Sequence, residues 1–147
     1  QVAATKVPLT KEQSARLEAA ALATVKYPRD GKWLGDYKAG EKVAQTGKGL
    51  QFSDKEGTVN GGNCYACHQI SKAELSYGNI GPSLAQYGKT RGNTEAVRKY
   101  TWAKIWNSHA TSACSVMPRY GDAEILTETQ IKDVMALLLD PQSPVNK

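Results

Sequence analysis

Phenylalanine is nearly missing from this 147-residue chain: there is one, against seven Tyr and three Trp. Most of its aromatic surface therefore ends in a polar atom that needs a partner or water. A core so poor in Phe can be completed by a large apolar cofactor, although composition alone names none. Long apolar runs are missing too. No stretch of about 18 apolar residues occurs, so no membrane-spanning helix is expected. Lys and Arg exceed Asp and Glu by 19 to 14, a formal charge of +5, yet no basic run stands out. That disfavours nucleic acid as a partner. Dispersed positive charge serves solubility or docking to an acidic protein. Internal repeats and strand patterns longer than four residues are absent, which leaves an all-α domain. The chain opens QVAATKVPLT, with neither an initiating Met nor a secretory leader, as expected of a processed, exported form.

Helices can be placed by their caps and stops. Thr10 and Gln13 have capping-box spacing, and Pro28 ends the run, so a helix is expected over about 11–26. Asp36 can cap a second over roughly 37–47. Within it Gly40 and Ala44, four apart, form a small-residue stripe where another helix could come close. Residues 47–63 read as loop. Residues 71–93 read as a long loop, a length that in compact domains is usually functional or wrapped around something. Thr94 can cap a third helix over 94–109. It carries Val97, Tyr100, Thr101, Lys104 and Ile105 on one side, with Trp102 and Trp106 also four apart. Thr127 and Gln130 form a second capping box, and Ile131, Val134, Met135, Leu138 and Leu139 then follow helical spacing until Pro141. The expected organisation is an N-terminal arm and helix over 1–35 and a main domain over 36–147.

Cysteine is scarce and odd in number, and two of the three lie in Cys64-Tyr65-Ala66-Cys67-His68. The spacing C-x-x-C-H makes one tight turn. It places two thiols on the same side, within reach of two vinyl carbons on one porphyrin edge, and brings the next residue, His68, under the iron. The competing readings are weaker. A zinc half-site needs two further ligands, and His109 and Cys114 fit no zinc spacing. A redox dithiol needs a βαβ setting that is absent. The expectation is one covalently attached haem c. Thioether attachment belongs to the bacterial periplasm and similar spaces, so the expected location is the periplasm.

With a haem in place, the rest of the chain can be read against it. Gly81-Pro82-Ser83-Leu84 follows the motif and is similar to a Gly-Pro-x-Leu loop of class I cytochromes c. There the Pro carbonyl accepts the imidazole Nδ1 proton. Pro stiffens a loop and cannot donate, so its carbonyl makes a fixed acceptor; the competing reading is a simple turn. Candidates for the sixth iron ligand are Met117, His109, Cys114 and Met135. Met135 sits on the apolar face of the last helix and reads as core. Met117 lies in a loop stiffened by Pro118, and Met–His ligation suits electron acceptance, so Met117 is favoured. His109 would give a bis-His haem. Cys114, three residues before Met117, would give a thiolate ligand, or it is a small buried residue or an intermolecular disulfide partner. Trp102, Trp106 and Tyr120 are large enough to wall the ring or simply to pack the core. Arg91 and Arg119 could pair with the propionates.

GNCYACHQI, NIGPSL, RKYTWAKIWNSH, CSVMPRYG and the last helix together resemble the SoxX family over about residues 50–145. SoxX proteins are the monohaem subunits of the thiosulfate-oxidising SoxAX cytochrome. The resemblance implies a class I cytochrome c-like fold with an N-terminal helical extension, and iron ligation by His68 and Met117. It implies a periplasmic heterodimer with a SoxA-like subunit that carries its own haem and does the substrate chemistry, joining thiosulfate to a carrier-protein cysteine. This chain would then pass electrons to a downstream acceptor cytochrome. The chain's own residues agree in one respect: two His and no nucleophile–base pair leave little for acid–base catalysis once His68 is a ligand. The alternative from the dispersed charge is a freely diffusing electron carrier.

Overall fold

A computed structural model of the chain describes residues 8–147; most of the expected N-terminal arm, residues 1–7, lies outside the described residues. Among the described residues the helices are α1 (Lys11–Leu22), α2 (Tyr37–Gln45), α3 (Tyr87–Arg91), α4 (Glu95–Trp106) and α5 (Glu128–Leu139). Single 3-10 turns occur at Cys64–Ala66, Ser108–Ala110 and Pro144–Asn146. No strand occurs among the described residues, so the fold is all-α, as expected.

Helix α5 is the axis. Thr127 and Gln130 cap each other reciprocally at its start, which satisfies two otherwise orphaned donors. Ile131, Val134, Met135, Leu138 and Leu139 are all buried. Met135 is fully enclosed in this core, as its place on the apolar face suggests. Helix α2 crosses α5 at the Gly40–Ala44 stripe, where both small residues are buried. A Cβ on Gly40 would fall on the Asp133 carbonyl. The Asp133 carboxylate in turn accepts from the Asp36 N–H at 2.8 Å, so the crossing is locked by a hydrogen bond as well as by close packing.

Helix α4 lies against the other side of the core. It stops at Trp106, earlier than the expected 109. Asn107 takes extended backbone, and its side chain accepts from the His109 N–H, a local bond that competes with helix continuation. Trp102 is fully buried, stacks on Trp106 with centroids 6.0 Å apart, and meets Trp33 edge-on. Helix α1 also ends early, at Leu22 rather than 26. Its capping box forms as expected, but the Thr24 hydroxyl bonds the Ala21 carbonyl, and the chain turns so that the Lys26 carbonyl accepts from Trp102 Nε1 at 2.9 Å. Inside the expected long loop 71–93 there is a short helix, α3. Its first amides, Gly88 and Lys89, donate to the Asn146 side chain. The cap comes from the far end of the chain, so no local signal announces it.

Gly40→Val places branched carbons on the α5 backbone, where nothing flexible can yield. It is expected to cost about 1–3 kcal/mol, the range for overpacking. Chemical denaturation of the Gly40→Val and wild-type proteins side by side measures this.

Candidate haem site

The turn at Cys64–Ala66 is anchored through its middle. Tyr65 is buried, and its hydroxyl donates to the Glu41 carboxylate of α2 at 3.0 Å. The His68 N–H closes on the Cys64 carbonyl at 2.9 Å. Asn63, just before the turn, has φ of 49°, a left-handed value that Asn tolerates better than most residues. With Tyr65 held in the core, Cys64, Cys67 and His68 line a shared cavity on the opposite side.

Residues 78–84 run alongside this turn and are bonded to it. The Gly78, Gly81 and Leu84 amides donate to the carbonyls of Tyr65, Cys67 and Gln69 at 2.7–2.8 Å. The long loop is thus wrapped on the motif. A Cβ on Gly81 would coincide with the His68 imidazole, so only Gly lets the backbone pass so close to the ring. Next to it, the Pro82 carbonyl lies 2.7 Å from His68 Nδ1. A carbonyl can only accept, so Nδ1 carries a proton, and in the neutral imidazole Nε2 keeps its lone pair.

Two cavity lobes, of about 290 and 320 Å³, share His68, Pro82, Lys104 and Met117. The first is also lined by Leu84, Tyr87, Arg91, Thr101 and Ile105. The second is lined by Cys64, Cys67, Cys114, Val116 and Tyr120. His68 and Met117 therefore border the same space, with the two motif thiols at one end and a cationic, hydroxyl-bearing wall at the other. Tyr120 donates to the Gly62 carbonyl and closes the thiol end.

Among the other candidates, His109 bonds the Ser115 carbonyl at 3.1 Å and lines neither lobe. Cys114 is exposed and sits on the rim of the second lobe. Arg91 lines the first lobe, with its guanidinium 5.7 Å from the Tyr87 ring centroid. Arg119 does not reach the cavity lining and pairs with Asp122 at 3.1 Å. Trp102 and Trp106 do not wall the cavity either. They point from α4 into the core, while Tyr100, Thr101, Lys104 and Ile105 border the cavity. Lys104, like Tyr87, Thr90 and Val116, is a lining residue that the sequence did not single out, although its spacing from Tyr100, Thr101 and Ile105 marked the face. Desolvation lowers its pKa.

The residues fit a covalently held porphyrin. Desolvation pushes the Cys64 thiol up to about 12, the opposite of the depressed values of redox dithiols. A sulfur here is comfortable only when uncharged, as a thiol or a thioether. Among the described residues no group of three or more His, Cys, Asp or Glu converges as a bare-ion site would require. An all-α fold with a C-x-x-C-H turn, a carbonyl-bonded His and a Met-bearing wall around one cavity defines a c-type haem protein. The family model for cytochrome c matches residues 47–140. The chain belongs to the cytochrome c family, whose domain implies covalently bound haem c. A protein of Aquifex aeolicus (strain VF5), named an uncharacterized lipoprotein, is 42% identical over 126 residues, covering 85% of this chain. The chain spans about three fifths of that relative's length, 59%. No helix among the described residues is long and apolar enough to cross a membrane.

Gly81→Ala is expected to displace the His68 ring and cost about 1–3 kcal/mol, with most of the expressed chain failing to carry haem in a pyridine haemochrome assay. Burial raises the pKa of both Tyr65 and Tyr120, and the Glu41 carboxylate raises that of Tyr65 further. A raised folded-state value stabilises the fold fully below the ordinary Tyr pKa of about 10 and loses that stabilisation as pH climbs above it. Stability measured against pH should fall above pH ~10, and less steeply in Tyr65→Phe.

Proposed function

We propose that the chain holds a single haem c through thioethers at Cys64 and Cys67, with His68 and Met117 as its two iron ligands. The observation that carries this reading is the shared border: His68 and Met117 both line both lobes of the cavity that Cys64 and Cys67 open onto. The haem supplies a one-electron centre; the protein residues set its surroundings. Pro82, by accepting the Nδ1 proton at 2.7 Å, fixes the orientation of His68 and raises its basicity as a ligand. The thioether of Met117 is a neutral donor that raises the potential. Arg91, which lines the first lobe, and Lys104, which lines both, would be the cations available to the haem propionates.

The further reading is a SoxX-type subunit. It would accept electrons from a SoxA-like, haem-bearing catalytic partner while thiosulfate is joined to a carrier cysteine, and would relay them to an acceptor cytochrome. Supporting it are the run of motifs from GNCYACHQI to CSVMPRYG and the scarcity of acid–base groups. Residues 36–147 then form the cytochrome domain, with 1–35 as its extension. The periplasm is the proposed location: thioether attachment of haem takes place there, and the relative's name, lipoprotein, is in keeping with export. A freely diffusing periplasmic carrier is the second reading, favoured by the dispersed charge of +5.

Met117→Ala is expected to abolish the weak red charge-transfer band of Met-ligated ferric haem and to lower the midpoint potential, while His109→Ala leaves both in place. An unchanged spectrum in Met117→Ala would remove Met117 as ligand. Size-exclusion of native extract separates the two roles. A SoxX-type subunit elutes with a second haem protein; a diffusing carrier elutes as a monomer near 15.9 kDa plus haem and exchanges electrons in a salt-sensitive way.

A further inference from the structure

Helix α1 presents a puzzle of energetics. It has no buried residue, and Leu17 and Leu22 are about half exposed. Hydrophobic burial, the usual source of helix stability in proteins, does not account for where it sits. Its packing partner is the Ser108–Ala110 turn, and what ties it there is polar. Glu18 Oε1 accepts from the Ala113 N–H at 3.1 Å, across 95 residues of sequence. Just beyond the helix, Thr24 Oγ1 accepts from Asn107 Nδ2 at 3.0 Å, and the Lys26 carbonyl accepts from Trp102 Nε1.

Two of these ties, through Asn107 and Ala113, fall on the segment that carries Met117, and the third falls on α4, which leads into it. From Asn107 to Pro118 that segment has one 3-10 turn and no longer helix. Its inner side is held by buried Ser108, whose hydroxyl donates to the Met117 carbonyl at 2.6 Å, and by His109 bonded to the Ser115 carbonyl. Its outer side, around Ala113, is held by the Glu18 carboxylate. A bond from a backbone amide to an ionised acceptor is stronger than a neutral one, which suits a single tie on a partly exposed loop.

We propose that α1 is a strap for the ligand loop, and that Glu18 is a positioning residue acting through Ala113 to keep Met117 against the haem. This rests on the reading of Met117 as the sixth ligand. The strap opposes outward movement of residues 111–116. Without it the loop visits open conformations more often, and an external ligand competes more successfully for the iron.

The test uses imidazole titration of the ferric holoprotein, followed by absorption spectra, with amide hydrogen exchange at Ala113 alongside. Glu18→Ala is expected to bind imidazole about five- to tenfold more tightly than wild type, the loss of one hydrogen bond, and to exchange the Ala113 amide faster. Glu18→Gln retains an oxygen acceptor and stays near wild type. In a Met117→Ala background, where no thioether remains to be displaced, Glu18→Ala changes nothing. Wild-type imidazole affinity in Glu18→Ala, despite a faster-exchanging Ala113, overturns the strap alone, provided Met117→Ala itself binds imidazole tightly. So does an equal Glu18→Ala effect with and without Met117. A Met117→Ala protein whose imidazole affinity matches wild type overturns the strap and the ligand assignment together.

Discussion

The hydrogen bond between His68 Nδ1 and the Pro82 carbonyl, 2.7 Å long, is the constraint on which this architecture turns. It can form only if a backbone strand passes directly beside an imidazole ring, and Gly81 is what permits that approach. The approach in turn needs residues 78–84 to follow the C-x-x-C-H turn, which three amide-to-carbonyl bonds enforce. Beyond Leu84 the chain is gathered by the C-terminus: the Gln86 amide donates to the Val145 carbonyl. Asn146 bonds both the start of α3 and the carbonyls of Leu138 and Asp140 at the end of α5. The His-bearing wall is therefore continuous with the hydrophobic axis of the molecule.

The facing wall is built on a different principle. Met117 sits on irregular backbone whose amide bonds the Ser115 side chain and whose carbonyl takes the Ser108 hydroxyl. Its two ends are well fixed. Ser108 is fully buried at one, and Tyr120 is buried and bonded to Gly62 at the other. Between them the exposed Cys114 and Val116 contribute little burial. Segments with few buried contacts open at lower free energy than the core. One wall is thus rigid through backbone zippering, the other held at its ends and from outside by α1.

What was legible in the sequence was whatever is decided locally. The boxes Thr10–Gln13 and Thr127–Gln130 form because their partners lie three residues apart. The Gly40–Ala44 stripe foretold a close helix crossing because small side chains at that spacing have few other uses. Thiols three residues apart beside a His are likewise a local pattern. Two of the misses depend on distant partners, while the early stop of α4 comes from the local Asn107–His109 bond. Helix α3 is capped from Asn146, and the end of α1 is set by Trp102 reaching Lys26. Arg119 was a candidate for the propionates because its charge is visible in sequence; Asp122, three residues on, captures it instead. The two faces of α4 were both legible as faces, but which one met the cavity was not. The Trp pair went inward to join Trp33, leaving the Tyr100–Lys104 side for the site.

That choice of face has an electrostatic consequence. Turning the tryptophans inward leaves Lys104 as the residue of α4 common to both cavity lobes, partly desolvated, its ammonium donating to the Ser108 carbonyl at 3.4 Å and attracted by the Glu18 carboxylate without a direct ion pair. Arg91 adds a second cation on the same side. Positive charge held in a partly apolar setting interacts more strongly than it would in water. It favours whichever state of a nearby centre carries less positive charge, and for a haem iron that is the reduced one. A neutral thioether from Met117 works in the same direction. On the proposed reading, the cavity's cations and its soft ligand both favour reduced iron, which suits a chain that takes electrons from a partner.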